Sequence, residues 1–139
     1  MRQEAWTQVK IVLNDYPKTD YYIQRIRTDI LYPYRTADEN IGGGSSGRRP
    51  DVMENIAVSI ADDHAIRRLE FNRDMVDMNL NTQADWFKEL IDLMYFSRNL
   101  SLTPASERVG VTYRTAKKYY ERFMLQLAKD LGFVTFDDK

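Results

Sequence analysis

Apolar residues recur at three- and four-residue spacing through most of the chain, which is the spacing of one helical face. Near the N-terminus this pattern predicts a helix from about Glu4 to Asp15. Pro17 should break it, and Thr19 can cap a second helix that ends at Pro33. We therefore expect two short amphipathic helices that form a hairpin.

The middle of the chain predicts longer helices, because neither proline nor glycine occurs between Asp51 and Pro104. One helix can run from about Asp51 to Leu80. Thr82 then offers a cap for a helix over about 83–96. We expect this helix to pack behind the C-terminal elements and to complete their core.

The C-terminal pattern is that of two helices joined by a tight turn. Thr103 is a candidate N-cap, and Pro104 suits the first helical position, where its missing N–H costs nothing. This helix should end near Val109, with Gly110 in the left-handed conformation that turns the chain. Thr112 can cap the second, longer helix. The order predicts a helix-turn-helix.

The two faces of the second helix differ in chemistry. One stripe is largely apolar and comprises Thr112, Ala116, Tyr120, Phe123 and Leu127. Four cations point elsewhere, near the N-terminal half that helix-turn-helix proteins present to base edges: Arg114, Lys117, Lys118 and Arg122.

Positive charge is concentrated in this region. Between Arg98 and Arg122 there are six basic and two acidic residues, a local net charge of +4, whereas the whole chain carries −1 and the remainder therefore −5. A solvated helical hairpin whose lysines only maintain solubility is the alternative. The caps, the proline, the glycine turn and the basic face together favour DNA binding.

The rest of the composition excludes several classes of site. The 139 residues include no cysteine, which rules out disulfides and thiolate metal sites. The longest aliphatic run near the start is only Ile11 to Leu13, far short of the ~20 residues that span a bilayer. We expect a soluble cytoplasmic protein with no membrane segment.

A glycine-rich segment, Gly42 to Gly47, contains four glycines and two serines in six residues. Exposed backbone N–H groups beside Arg48 and Arg49 could ring an anion, but the P-loop pattern needs a lysine that is missing here. A linker, or a loop laid against DNA or a neighbouring subunit, fits better.

Catalytic residues are not evident. The single histidine, His64, lies beside Asp62 and Asp63, but adjacent helical residues do not face one another. We expect His64 to be structural, and we predict no enzyme, no metal site and no cofactor. Of the tyrosines on the last helix, Tyr119 and Tyr120 should pack inward, and Tyr113 is a candidate for DNA contact.

Four segments resemble one family of regulators: Asn14–Pro17, Leu31–Pro33, Asp38–Gly44 and Arg108–Lys117. In this order they resemble the RinA/ArpU-type transcriptional regulators of Gram-positive phages and prophages. The resemblance implies a DNA-binding activator of the late operon, which serves packaging, morphogenesis and lysis genes. The C-terminal half is similar to region four of bacterial sigma factors, although Pro104–Ser106 stands where such hairpins more often carry a glutamate and a larger aliphatic residue.

The sequence thus predicts an all-α protein with three segments: 1–50, a helical hairpin and glycine-rich loop; 51–80, a long connecting helix; and 81–139, a helix-turn-helix DNA-binding domain. The predicted DNA-binding residues are Arg108, Thr112, Tyr113, Arg114, Thr115, Lys117, Lys118 and Arg122. The expected partners are double-stranded DNA, host RNA polymerase and a second copy in a homodimer. A small terminase-like packaging subunit, and an interaction module that binds polymerase without touching DNA, are the alternatives.

Overall fold

The computed structural model describes residues 1–31 and 52–134 of the chain. Regular structure in these residues is entirely helical, without a strand, so the predicted all-α fold is confirmed there. The predicted glycine-rich segment lies outside the described residues. The helices are α1 (Gln3–Asp15), α2 (Thr19–Leu31), α3 (Val52–Asn81), α4 (Asp85–Ile91), α5 (Leu102–Val109) and α6 (Tyr113–Leu131).

Two short helical turns of other types accompany the α-helices. A 3₁₀ turn, Tyr16–Lys18, lies between α1 and α2, where the proline break was predicted. A π-helical turn, Asp92–Phe96, continues α4 and closes with a hydrogen bond of 2.8 Å from the Ser97 N–H to the Asp92 carbonyl. The predicted helix over 83–96 is therefore present as two consecutive pieces.

Two of the predicted caps are wrong. Ser101, not Thr103, is the N-cap of α5, so Pro104 occupies the third helical position. Proline is tolerated there because no N–H of the first turn has an intrahelical partner, and its presence does not fix where the helix starts. Ala84, not Thr82, precedes α4, and the Thr82 hydroxyl instead donates to the Asn79 carbonyl at 3.1 Å.

The chain divides into two compact units. One combines residues 1–17 with the described residues from 72 onwards, and the other comprises the described residues between 18 and 71. The second unit thus holds α2 and the first part of α3, with Thr19, Ile23 and Ile66 buried. The three functional segments 1–50, 51–80 and 81–139 stay a prediction.

The core of the first unit is built by α1, the end of α3 and α4 to α6. Its largest fully buried apolar side chains are Val9, Leu13, Val76, Phe87, Leu90, Ile91, Met124 and Leu127. The rings of Phe87 and Phe123 lie 5.2 Å apart, which confirms that the helix before α5 packs behind α6. Trp6 of α1 lies 5.8 Å from Tyr120 of α6, and Asn79 of α3 donates to the Asp130 carboxylate of α6 at 2.8 Å. α1, α3 and α4 therefore all contact α6 on its buried side.

Candidate nucleic-acid interface

The turn between α5 and α6 has the geometry that its residues predict. Gly110 has φ +81°, in the left-handed region that glycine adopts without strain. Its N–H bonds to the carbonyls of Ser106 and Glu107, and the Val111 N–H also reaches Ser106 at 3.1 Å. These bonds satisfy the last carbonyls of α5 and end the helix abruptly.

The start of α6 is capped as predicted. The Thr112 hydroxyl oxygen accepts a hydrogen bond of 3.2 Å from the Thr115 N–H and donates to the Thr115 hydroxyl at 3.0 Å. A capped first turn has a defined direction, because one of its free N–H groups is bonded in place. The turn and the cap together fix where α6 begins relative to α5.

Small side chains allow α5 and α6 to approach closely. Ala105 and Ala116 are fully buried, and Ser106 is 1 % exposed. The Ser106 hydroxyl donates to the Thr103 carbonyl at 2.8 Å, so its burial leaves no unmet donor. The close approach of the two helices rests on these three residues.

All eight predicted site residues are exposed. They are Arg108 in the last turn of α5, Thr112 at the cap, and Tyr113, Arg114, Thr115, Lys117, Lys118 and Arg122 along α6. Within the described part of the chain, none of the five cations among them forms an ion pair with a carboxylate. No described carboxylate is therefore in direct contact with their charged groups.

The predicted apolar stripe of α6 is largely correct. Ala116, Tyr120, Phe123 and Leu127 are buried, whereas Thr112 is exposed. Met124, Ala128 and Leu131 widen the buried face. Since residues four apart lie above one another on a helix, Arg114, Lys118 and Arg122 form a row on the opposite side.

Tyr119 departs from the prediction, because it is 41 % exposed rather than packed inward. Its ring meets Trp86 of α4 edge-on at 5.3 Å between centroids, and the Arg122 guanidinium lies 5.8 Å from the Tyr119 ring. The sequence carries one signal for this cluster, the three-residue spacing of Tyr119 and Arg122, which places them on neighbouring turns of one face. The contact with Trp86 depends on how α4 packs and has no local signal.

A pair of tyrosines closes the buried side of α6. The hydroxyls of Tyr95 and Tyr120 lie 2.5 Å apart. Burial raises the pKa of both hydroxyls, so both rings stay neutral. The pair fixes the π-helical turn against the buried side of α6.

Other kinds of site find little support in the described residues. His64 is exposed rather than on a covered stripe, and it borders a shallow groove of about 400 Å³ with Arg67, Arg68 and Phe71. No described group of histidine, aspartate and glutamate side chains could hold a metal ion. None of the helices, as far as they are described, is both long and apolar enough to cross a membrane.

Comparison with known proteins identifies the family. The family described as "Protein of unknown function (DUF722)" matches residues 7–129. The transcriptional activator rinA of Staphylococcus phage phi11 is 25 % identical over 124 residues, covering 86 % of this chain and 85 % of that protein. No solved structure matches the chain significantly. The resemblance to the RinA-type regulators is confirmed by these findings, and the chain belongs to the DUF722 family.

Proposed function

We propose that the protein is a sequence-specific DNA-binding regulator of phage transcription, and that it activates late genes for packaging, morphogenesis and lysis. The observation that carries the proposal is the set of exposed cations on α6, none of them paired with a carboxylate in the described residues. The name of the similar phage protein, a transcriptional activator, supports the direction of regulation.

In this proposal α5 and α6 act as a helix-turn-helix of the sigma region-four type, with α6 in the major groove. Arg114 and Lys117 reach base edges from the first turns of α6, where helix-turn-helix proteins make their sequence-specific contacts. Thr112, Tyr113 and Thr115 surround them at the helix start. Phosphates are bound by Lys118 and Arg122, and by Arg108 from the end of α5.

The other expected partners belong to the same proposal. The late promoter region of the phage supplies the double-stranded DNA. In this proposal the N-terminal helices and the long helix α3 contact host RNA polymerase or form a homodimer. A mass measurement in solution separates a monomeric or dimeric regulator from the ring of about eight or more subunits typical of a small terminase.

The proposal is tested by comparing two substitutions on promoter and scrambled duplexes. Arg114→Ala should remove a base contact, cost ~1–3 kcal/mol of binding free energy on the promoter, and relax sequence preference. Lys118→Ala should weaken binding to both duplexes and lower the slope of log K against log salt by about one. Fluorescence anisotropy with labelled duplexes at several salt concentrations measures both effects.

Lys10→Ala is the matched control. Lys10 is an exposed cation of α1, the helix that packs through Trp6 on the buried side of α6. Its removal changes the net charge as much as Lys118→Ala does, but should leave the salt slope unchanged. If the promoter and the scrambled duplex bind equally to the wild type, or if both α6 variants bind like the wild type, this assignment of the reading helix is wrong.

A further inference from the structure

Three side chains from two helices form a column beside the proposed reading surface. Trp86 of α4 is half-buried and its ring stands perpendicular to that of Tyr119, with an interplanar angle of 87°. Tyr119 in turn lies under the Arg122 guanidinium. The column therefore runs from the core of the first unit to an exposed cation.

The column restricts the conformations of the Arg122 side chain. An arginine side chain loses considerable rotamer freedom when it is fixed by a ligand, and that loss opposes binding. A guanidinium that already lies over an aromatic ring loses less, and a cation–π contact occupies none of its N–H donors. Arg122 has no carboxylate partner in the described residues, so those donors are available to an outside anion.

The position of Arg122 on α6 indicates which anion it would bind. It lies eight residues beyond Arg114 on α6, which corresponds to about 12 Å along a helix axis. Because the N-terminal residues of a reading helix contact base edges, a side chain about two turns further along the helix can reach the sugar-phosphate backbone. When Arg114 reaches the base edges, Arg122 lies near the sugar-phosphate backbone at the side of the groove.

We propose that Trp86 and Tyr119 are positioning residues that hold Arg122 ready to bind a phosphate of the DNA backbone. The inference rests on the proposed function and adds to it two residues that touch no base. Trp86 supports the Tyr119 ring, the Tyr119 ring supports the guanidinium, and Arg122 alone contacts the phosphate.

The test is a double-substitution cycle on DNA affinity. Tyr119→Leu removes the ring and should weaken binding to promoter and scrambled duplexes about two- to fivefold, the range expected for one exposed cation–π contact. Arg122→Gln should lower the salt slope by about 0.9, which corresponds to one lost phosphate contact. In the Arg122→Gln background, Tyr119→Leu should cause no further loss, because nothing remains for the ring to hold.

Tyr119→Phe separates the ring from the hydroxyl. It keeps the aromatic face and should bind like the wild type. A loss as large as that of Tyr119→Leu would mean that the hydroxyl itself contacts DNA, and this would overturn the positioning role. Equal losses from Tyr119→Leu with and without Arg122 would overturn it as well.

A matched control uses the other cation that lies over an aromatic ring among the described residues of the first unit. Lys10 lies 6.0 Å from the Trp6 ring on α1, and Lys10→Gln should change neither affinity nor salt slope. Thermal unfolding of every variant confirms that the DNA measurements compare folded proteins. If the wild type binds no duplex even at low salt, the proposed function fails together with this inference; if it binds and only Tyr119→Leu has no effect, the inference alone fails.

Discussion

Three tyrosine hydroxyls of the first compact unit bond to other side chains rather than only to water. Tyr95 and Tyr120 bond to each other, and Tyr16 donates to the Asp77 carboxylate while its ring stacks on Phe96 at 4.8 Å. A buried aromatic ring with a bonded hydroxyl adds direction to its apolar contact area. These tyrosines therefore fix how the surrounding helices face each other.

The environment of Tyr16 should make the free energy of unfolding depend on pH in the alkaline range. Burial, then the hydrogen bond to Asp77 and its negative charge, raise the pKa of Tyr16 from 10.0 to about 12. The unfolded chain thus ionises at this residue before the folded protein does, and the free energy of unfolding should fall as pH rises from 10 towards 12. Below pH 10 the full contribution is present. Urea unfolding at several pH values should show a shallower alkaline decline for Tyr16→Phe than for the wild type, and parallel declines would contradict the assignment.

Residues that act on the backbone of their own turn, such as helix caps and turn glycines, were predictable from the sequence. Thr112 and Gly110 act within one turn of their own positions, as the sequence indicates. Tyr119 was not predictable in this way, because its exposure depends on where α4 lies. The prediction that Thr103 caps α5 was wrong for a related reason, since a proline in the first turn is compatible with several helix starts.

At the scale of elements, the helices themselves follow closely from apolar spacing and from proline and glycine. α3 begins and ends within about a residue of the predicted Asp51 to Leu80. The π-helical turn after α4 could not be foreseen, because it changes the hydrogen-bond register without a marked change in residue type. Asn99, with φ +56°, then turns the chain towards α5.

Two glycines that end helices provide a matched pair of substitutions. Gly110 and Gly132 have φ +81° and +86°, and a Cβ at either position would meet nothing within 4 Å. Alanine should therefore cost only the backbone strain of the left-handed conformation, ~1–2 kcal/mol of the free energy of unfolding at each site. Asparagine adopts this conformation more readily, so Gly110→Asn should cost less than Gly110→Ala in urea unfolding. Losses well above this range, or no difference between Asn and Ala, would contradict this account.

At the scale of the whole molecule, the placement of α1 is the main feature that the sequence did not predict. An amphipathic pattern shows that a helix needs a partner but not which one. The hairpin of α1 and α2 stays a prediction, and Val9 and Leu13 of α1 join the core that α4 and α6 also build. The candidate interface therefore depends on residues about a hundred positions away in the chain.

This dependence predicts that α1 and α4 unfold together. Leu13 is fully buried, and Leu13→Ala should lower the free energy of unfolding by ~2–5 kcal/mol. With Trp6 replaced by phenylalanine, Trp86 of α4 is the remaining tryptophan, and its emission during urea unfolding reports on a helix distant in sequence from the substitution. Leu13→Ala should shift this transition to lower urea, because a single cooperative core transmits the loss.

Ile11→Ala is the control, since Ile11 is 46 % exposed on the same helix, and it should leave the midpoint nearly unchanged. An unshifted Trp86 transition in Leu13→Ala would mean that α1 is not part of the structure that supports α6.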